Sequence, residues 1–278
     1  MKNILLTGSG GFIGSHLKKW LEEYNLFCPR SFELNLMDKD AVQDYVEKNN
    51  IDFIIHSASC GVRISEEATS DEVARPNIEM FLNLANLNLP MITFGSGAEY
   101  DKSKALVNVK ENDFGKSIPR DPYGYSKYMI SKEIEKRNNI LNLRIFGIYG
   151  YGEHSSRVTS SIINDNLNHK PIELNQNVKF HFIYIDDFCK IVKYFIENPT
   201  TEKFINITPN DSIEIIELAK IINKISDYKS EIIIKSNGMN KEYTANNELL
   251  LTILKDFLFT SYEEGMSKLY NLLKTKEE

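Results

Sequence analysis

The sequence predicts an α/β fold built around a doubly wound parallel sheet. Over the first half of the 278 residues, short apolar runs of strand length alternate with stretches of helix length. The first run ends in a glycine-rich turn that leads directly into a helix, and later runs also end in small or polar residues. Strands separated by helices are joined by right-handed crossovers, so their carboxyl ends are expected to meet at one edge of the sheet.

The first half supplies the strands and helices of this predicted sheet. A run at residues 4–6 predicts a buried first strand, and apolar positions from Ile13 to Tyr24 predict the helix after it. Further strands are predicted near Asn25–Cys28, Asp52–His56, Met91–Phe94 and Leu141–Ile145, and further helices over about 39–48, around Phe81–Ala85 and over about 125–138.

The second half is less regular and predicts a smaller C-terminal part. Its clearest element is a helix over Asp187–Glu197 with one buried apolar side. Ser212 is predicted to cap a second helix, and Ser261 is predicted to cap a last one.

Composition excludes several classes of protein. Hydrophobic residues make up 42% of the chain and charged residues 26%, and the net charge is −6, which argues against a general nucleic-acid binder. The three cysteines, Cys28, Cys60 and Cys189, are too far apart for a metal-ligand motif or a disulfide framework. No apolar run is long enough for a membrane span. Met1 and Lys2 lead straight into the first strand with no room for a signal peptide, so a cytoplasmic location is expected.

The glycine turn at residues 7–14 has the spacing Gly-x-x-Gly-x-x-Gly, with Gly8, Gly11 and Gly14 at the glycine positions. Gly8 allows a tight turn, Gly11 lets a pyrophosphate approach the backbone, and Gly14 lets the helix pack closely on the strand. Phe12 and Ile13 begin the helix, whose free N–H groups and positive dipole end favour phosphates. The turn therefore predicts a dinucleotide site, although an ordinary glycine turn between strand and helix has the same pattern.

A second motif places a phenol beside an amine. Tyr123 and Lys127 are four residues apart and share one helix face, where a lysine ammonium lowers the pKa of a phenol. Such a phenol can act as a general acid or base toward a carbonyl oxygen, and Ser96, at another strand end, can bind the same oxygen. Tyr128 and Lys132 have the same spacing. Tyr123 is favoured because residues 121–122, Asp-Pro, place it at the helix start, near the ligand edge of the sheet.

Taken together, these motifs resemble the extended short-chain dehydrogenases/reductases, a Rossmann-fold family of nucleotide-sugar epimerases, dehydratases and reductases. The resemblance runs over nearly the whole chain. The matching segments are Thr7–Leu17, Ile54–Ser59, Phe94–Tyr100, Pro122–Lys127, Leu143–Gly150, Phe182–Asp187 and Ser261–Tyr270.

The resemblance implies a nicotinamide cofactor, a nucleotide-diphosphate sugar substrate and a homodimer, with no nucleic-acid or membrane partner. It implies a cofactor-binding domain over residues 1–150 and about 181–205, and a nucleotide-sugar-binding part over about 151–180 and 206–278, with the substrate between them. Catalysis would fall to Ser96, Tyr123 and Lys127. The implied cofactor contacts are Gly8, Gly11, Phe12, Ile13, Gly14, Arg30, Ser31, Asn35, Leu36, Ser57, Ala58, Ser59, Tyr123 and Lys127. The implied substrate contacts are Ser96, Gly97, Ala98, Tyr123, Arg157 and Lys179.

Several positions depart from the family pattern. Family dehydratases carry an acidic pair where this chain has Gly97 and Ala98, and Glu99 is displaced by one residue, so its side chain is expected to point elsewhere. The region 33–38 is most similar to GDP-L-fucose synthase, whose epimerising Cys and His correspond here to Ala98 and Arg157; His154 lies three residues from the latter. These departures argue against dehydration and against epimerisation at carbons 3 and 5.

Substrate contacts also depart from the pattern. Tyr151 replaces the family's proline after residues 149–150. Phe180, with Lys179 beside it, stands where an arginine is often found. Both changes bear on the diphosphate and sugar contacts.

Three functions remain open from the sequence. The favoured one is reduction of a 4-keto nucleotide-sugar, of the kind made in bacterial-type surface polysaccharide or deoxysugar synthesis. The second is 4-epimerisation, in which the hydride leaves and returns to the same carbon. The third is a non-catalytic protein that senses NAD(P), which the complete set of Ser96, Tyr123 and Lys127 argues against.

The end of the second strand bears on the choice of cofactor. An acidic residue there normally binds the ribose hydroxyls and repels a 2′-phosphate, but this chain has Arg30 and Ser31. Arg30 can pair with the phosphate and Ser31 can donate a hydrogen bond, so NADP(H) is favoured over NAD(H). The alternative is that Arg30 is unengaged and Glu33 binds the ribose.

Overall fold

The structure is a computed structural model that describes residues 2–60 and 69–277. The chain divides into two compact units. The first unit comprises Met1–Ser103, Lys110–Ile145 and Cys189–Asn206, and the second comprises Lys104–Val109, Phe146–Phe188 and Ile207–Glu278. The assignment of these parts to cofactor and substrate stays a prediction.

The elements are numbered along the chain. The strands are β1 (Asn3–Thr7), β2 (Asn25–Phe27), β3 (Phe53–His56), β4 (Met91–Ser96), β5 (Leu106–Val109), β6 (Ile140–Ile145), β7 (Ile148–Tyr149), β8 (Ile172–Asn177), β9 (Lys179–Phe180), β10 (Ile183–Tyr184), β11 (Phe204–Ile207), β12 (Ile213–Glu214), β13 (Ile232–Met239) and β14 (Tyr243–Ala245). The α-helices are α1 (Phe12–Trp20), α2 (Lys39–Lys48), α3 (Ser70–Ala85), α4 (Pro122–Ile134), α5 (Val158–Leu167), α6 (Ile185–Glu197), α7 (Ile215–Ile225), α8 (Glu248–Leu254) and α9 (Tyr262–Glu277). Short 3₁₀ turns lie at Gly97–Tyr100 and Glu111–Asp113.

The first unit is built on a six-stranded sheet in the order β11-β6-β4-β3-β1-β2. β1 pairs in parallel with β2 and β3, β3 with β4, and β4 with β6. The order reverses direction beside β1, so the carboxyl ends of β1, β3 and β4 lie at the switch point where such sheets bind ligands. The predicted doubly wound parallel sheet is confirmed.

Strands β3, β4 and β6 are buried along their whole length without alternation, as parallel strands covered on both faces require. The core between sheet and helices includes Ile54 of β3, Phe81 and Leu84 of α3 and Ile134 of α4. All the strands and helices predicted for this unit are present. The structure extends β4 to Ser96 and starts α4 at Pro122, because the Asp121 side chain accepts the N–H of Gly124 and caps the helix.

The second unit contains smaller sheets and helices that the sequence predicted only in part. β12, β9, β14 and β5 form one sheet, β10 pairs with β7, and β13 pairs with β8. Helix α5 packs against α7 and α9. The predicted cap at Ser261 is confirmed, because its hydroxyl accepts the N–H of Glu264. The buried apolar side predicted for α6 is also found.

The predicted helix cap at Ser212 is wrong. Ile213 and Glu214 instead pair with β9 as the short strand β12, and the helix begins only at Ile215. Strand pairing therefore takes the residues that the sequence pattern assigned to the first turn of the helix.

Cys189 is buried and Cys28 and Cys60 are half-buried, and all three are free thiols. Within residues 2–60 and 69–277, no helix is long and apolar enough to span a bilayer. The same residues contain no group of three or more His, Cys, Asp or Glu side chains placed to hold a metal ion.

Gly14 provides a stability test of the contact between helix and strand. A Cβ at Gly14 would stand 2.2 Å from the carbonyl oxygen of Gly8 and 2.8 Å from the Cα of Ser9, both backbone atoms. Gly14→Ala is therefore expected to lower the free energy of unfolding by about 1–3 kcal/mol despite the better helix propensity of alanine. Urea denaturation measures the change. Gly11→Ala is the control, because its Cβ would lie 3.3 Å from one oxygen. Equal urea midpoints for wild type and Gly14→Ala would contradict the packing argument.

Candidate active site

The glycine turn is closed by contacts with the loop after β3. Gly8 has φ +69°, and a Cβ there would stand 2.6 Å from the nitrogen of Ala58. The Thr7 hydroxyl accepts the N–H of Ala58 at 3.3 Å and is 2.9 Å from Nδ1 of His56. The turn and the Ser57–Ala58 segment are thus held together at the carboxyl ends of β1 and β3.

The space in front of α1 fits a diphosphate. Gly11 stands at the N-cap in an extended conformation, and a Cβ there would meet, among the described residues, only the carbonyl oxygen of Gly8 within 4 Å. Phe12 and Ile13 open the helix, so their N–H groups belong to the first turn, which has no acceptor within the helix. The residues predicted to bind the cofactor phosphates therefore lie together at this helix start, and their role in binding stays a prediction.

Arg30 lies against this turn. Its Nη1 is 2.6 Å from the Cβ position of Gly10, so the exposed guanidinium stands beside the predicted phosphate site. The backbone N–H of Arg30 donates to Oε2 of Glu33 at 2.6 Å, which engages that carboxylate within its own loop. Ser31 is exposed next to Arg30.

Asn35 and Leu36 follow in the same loop. The Asn35 side chain is exposed and its Oδ1 accepts the N–H of Met37. Leu36 belongs to the hydrophobic core, and its carbonyl accepts Nδ2 of Asn83 at 2.9 Å. The predicted adenine-binding segment is thus anchored through Leu36.

Asn77 is a positioning residue that the sequence interpretation missed. It is buried in α3, where its Oδ1 accepts the N–H of Cys60 at 2.7 Å and its Nδ2 donates to the Cys60 carbonyl at 3.0 Å. Contacts of 3.4 Å link it to the hydroxyls of Ser59 and Ser126, so it joins the loop after β3 to α4. An asparagine on the apolar face of an amphipathic helix was the available signal.

The three predicted catalytic side chains all lie in the first unit. Ser96 ends β4, and its hydroxyl oxygen accepts the N–H of Ala98 at 3.1 Å. Lys127 is buried and its Nζ donates to the carbonyl of Phe94 at 2.8 Å, two residues before Ser96. The same Nζ is 5.8 Å from the centre of the half-buried Tyr123 ring.

The start of α4 packs directly on the turn that follows Ser96. A Cβ at Gly124 would stand 3.0 Å from the carbonyl oxygen of Ala98. Gly97 and Ala98 are themselves buried in the 3₁₀ turn. This contact sets the helix that carries Tyr123 against the segment that carries Ser96.

Burial controls the charge states around Lys127. Burial lowers the pKa of Lys127 to about 8, and the negative charge of Glu99 opposes the shift. Burial also lowers the pKa of His56 to about 3, and the Lys127 charge adds to that effect. His56 is therefore a neutral side chain at physiological pH, and its Nδ1 is held by the Thr7 hydroxyl.

The second Tyr–Lys pair has a different environment. Tyr128 is buried with its ring 5.0 Å from that of Phe114, and Lys132 forms an ion pair with Glu135. This pair is engaged in packing and surface charge pairing.

Glu99 turns into the core, in agreement with the prediction that it points elsewhere. Its carboxylate and the Arg144 guanidinium are both fully buried, with Nε 2.8 Å from Oε2. The partner Arg144 lies 45 residues away in sequence and was not predicted.

The predicted substrate residues of the second unit lie at its surface. Arg157 is exposed at the N-cap of α5, and Lys179 is exposed in β9. His154 is exposed and its Nδ1 is 2.7 Å from the Ser156 hydroxyl. Glu153 accepts hydrogen bonds from residues 159 and 160, and burial raises the pKa of this carboxyl.

Comparison with known proteins identifies the family. Residues 4–208 match the NAD dependent epimerase/dehydratase family. The chain belongs to this family. The match covers most of the chain and confirms the resemblance to the extended short-chain dehydrogenases/reductases, so the protein is related to NAD(P)-dependent enzymes.

One curated relative is the ADP-L-glycero-D-manno-heptose-6-epimerase of Brachyspira hyodysenteriae, with 25% identity over 266 residues that cover 82% of this chain and 81% of the relative. The fold of this chain also resembles several solved structures. These include a GDP-mannoheptose C4 reductase from Campylobacter jejuni with NADP bound (TM-score 0.83, 17% identity, 98% of each chain). A UDP-glucose 4-epimerase from Thermotoga maritima has a TM-score of 0.83 and 20% identity over 99% of this chain and 100% of the other. At these identities the structures establish the fold.

Proposed function

We propose that the protein is an NAD(P)-dependent reductase of a 4-keto nucleotide-sugar. The observation that carries the proposal is the Lys127 ammonium, buried 5.8 Å from the Tyr123 ring beside the strand that ends in Ser96. A ketone reductase requires this set of groups: a proton donor, a cation that sets its charge state and a hydrogen bond to the carbonyl. Relatives named as GDP-mannoheptose C4 reductase and GDP-6-OMe-4-keto-L-xylo-heptose reductase support the substrate class.

Each side chain has a separate task in this reaction. The nicotinamide, when bound, supplies a hydride to the carbonyl carbon. Tyr123 donates its phenolic proton to the carbonyl oxygen, and the Lys127 ammonium stabilises the tyrosinate until solvent restores that proton. Ser96 orients and polarises the carbonyl through its hydroxyl, whose oxygen is held by the N–H of Ala98. One hydride and one proton balance the conversion of ketone to alcohol.

Chemistry is proposed at carbon 4 only. Epimerising carbon 3 or 5 requires a further acid and base beside those carbons. The two positions that would supply them carry the buried methyl group of Ala98 and the guanidinium of Arg157, which has donors but no acceptor atom. The proposed substrate contacts at Gly97, Ala98, Arg157 and Lys179 rest on the family resemblance.

A 4-epimerase is the second candidate. Its chemistry uses the same Ser96, Tyr123 and Lys127, since hydride leaves and returns to one carbon. The family match and the curated epimerase relative support the 4-epimerase as an alternative function. The two candidates differ in whether reduced cofactor is consumed.

NADPH is proposed as the preferred cofactor. The Arg30 guanidinium beside Gly10 supports this choice, because it can pair with a 2′-phosphate. The engagement of Glu33 with the backbone of Arg30 weakens the alternative in which that carboxylate binds the ribose.

A homodimer and a cytoplasmic location stay predictions. Tyr125 and Met129, one turn apart on α4, are exposed to 38% and 37% and offer an apolar surface for a second copy.

Tyr123→Phe tests the proton donor. Removing the hydroxyl while keeping the ring is expected to lower turnover by about 10²–10⁴-fold and to leave NADPH affinity near the wild-type value. Turnover is followed as NADPH oxidation with a panel of nucleotide 4-keto sugars, and affinity by calorimetry. Tyr128→Phe, the same change on the same helix, is the matched control and should be nearly silent. An active Tyr123→Phe with an inactive Tyr128→Phe would show that the wrong pair was assigned.

Arg30→Ala tests the cofactor preference. Wild type is expected to bind NADPH more tightly than NADH, and the variant should narrow that difference by weakening NADPH binding alone. Calorimetric titration of both cofactors measures the two affinities. Arg75→Ala, which removes an exposed arginine paired with Glu79 on α3, is the matched control. Equal affinities in wild type, or tighter NADH, would refute the preference.

The position of chemistry is tested in deuterated water. Because neither the Ala98 methyl group nor the Arg157 guanidinium can accept a proton from carbon, the product should carry no carbon-bound deuterium at carbon 3 or 5 beyond a control without enzyme. NMR of the product measures the deuterium. Deuterium at either carbon would point to another base, with His154 the first to examine. Inversion at carbon 4 without net NADPH oxidation would establish the 4-epimerase instead.

A further inference from the structure

Glu99 is the buried carboxylate nearest in sequence to Ser96, and both of its oxygens are engaged. Oε1 accepts the backbone N–H of Ser96 at 3.0 Å and Nδ2 of Asn142 at 3.3 Å. Oε2 accepts Nε of Arg144 at 2.8 Å and the hydroxyl of Ser131 at 2.5 Å. One carboxylate thus connects the end of β4 with α4 and β6.

The Glu99 carboxylate also packs against β4, the strand whose Phe94 carbonyl accepts a hydrogen bond from Lys127. A Cβ at Gly95 would stand 2.3 Å from Oε1 of Glu99, so the carboxylate packs against the Gly95 backbone. Nζ of Lys127 donates a hydrogen bond to the carbonyl of Phe94, the residue before Gly95. The N–H of Ser96, the residue after Gly95, donates to Oε1 of Glu99. The ammonium and the carboxylate therefore contact three consecutive residues of β4 from within the protein.

Pairing with Arg144 accounts for only part of this arrangement. The guanidinium has other contacts: Nη1 donates to the Tyr100 hydroxyl at 2.9 Å, and its carbon is 4.3 Å from the centre of the Phe204 ring and 4.6 Å from that of Phe114. Arg144 bonds Oε2 of Glu99, whereas Oε1 accepts the backbone N–H of Ser96. That bond is one half of a capping box that closes the turn after β4, so the same carboxylate also fixes the backbone at Ser96.

We propose that Glu99 is a positioning residue of the Ser96–Tyr123–Lys127 centre, which fixes the Ser96 backbone and is the counter-charge of Lys127 across residues 94–96 of β4. The inference rests on the proposed function, because that function assigns the ammonium its role. It concerns a carboxylate that does not touch the substrate.

Within residues 2–60 and 69–277, the other groups around Lys127 described next do not supply this charge. From β3 it faces His56, which burial keeps neutral, and from α4 it faces the Tyr123 ring. From β4 it meets the carbonyl of Phe94, which carries only a partial charge. Arg144, the other charged group in contact with Glu99, is itself a cation. Of these neighbours, Glu99 is the one with a full negative charge.

The test is the titration of Lys127 in the protein without substrate. Lysines labelled with ¹³C at the ε carbon are followed by NMR against pH, and the Lys127 signal is identified by its loss in Lys127→Met. We expect a wild-type midpoint of about 8 and a fall of about 1 pH unit in Glu99→Gln, because loss of a nearby opposite charge favours the neutral amine.

Two variants separate counter-charge from structure. Arg144→Met breaks the same ion pair from the other side but keeps the Glu99 charge, so it should not lower the midpoint. The double variant Glu99→Gln with Arg144→Met removes both buried charges. It should fold even if Glu99→Gln leaves too much uncompensated charge, and its midpoint should lie below that of Arg144→Met, because the two differ only in the Glu99 charge. Glu133→Gln, which removes a carboxylate paired with Lys136 and Arg137 on α4, is the matched control.

An unchanged midpoint in Glu99→Gln, or a double variant whose midpoint is no lower than that of Arg144→Met, overturns the inference. An equal fall in Arg144→Met also overturns it, since the ion pair alone would then be responsible. Where turnover is measured, the alkaline limb of the kcat profile should shift down in parallel with the NMR midpoint. A fully active Tyr123→Phe would instead refute the proposed function. The Lys127 titration could still be interpreted, because it is measured without substrate and does not depend on turnover.

Discussion

The buried ion pair of Glu99 and Arg144 is the interaction on which the carboxyl end of β4 depends. Both side chains are fully buried, so the folded state removes two charges from water, and attraction between them offsets this only with further hydrogen bonds. Ser131 and Asn142 provide those bonds to the carboxylate. A pair of this kind contributes more to a defined arrangement than to stability. Here it holds β4, α4 and β6 in one geometry.

The fold of the first unit was predictable from the sequence because its signals are local. The central strands are short segments rich in apolar residues, and the helices between them have clear apolar sides. The second unit gave weaker signals, because β7, β9, β10 and β12 are only two residues long and too short to leave a periodic pattern. The wrong cap at Ser212 has the same origin, since pairing with a chain-distant strand decided where the helix begins.

In the candidate site, too, the features with local sequence signals were predictable and the contacts between distant residues were not. Gly8, Gly11 and Gly14 and the spacing of Tyr123 and Lys127 are visible in short windows of sequence. The spacing did not distinguish Tyr123 from Tyr128, and the structure adds that Tyr128 packs against Phe114. The contacts of Asn77 with Cys60, and of Glu99 with Arg144, join residues 17 and 45 positions apart. Such contacts depend on the fold, so the sequence alone did not indicate them.

The burial of Lys127 has a thermodynamic consequence for the whole chain. An unfolded lysine titrates near 10.4, whereas burial lowers the folded pKa of Lys127 to about 8. Below pH 8 both states hold the proton, and the folded protein is less stable by about 3 kcal/mol than with a normally solvated lysine. Between about pH 8 and about pH 10.4 the unfolded state binds more protons than the folded state, so the free energy of unfolding rises with pH. The proposed chemistry thus retains a charge that the fold alone would discard, and selection for activity opposes selection for stability at this position.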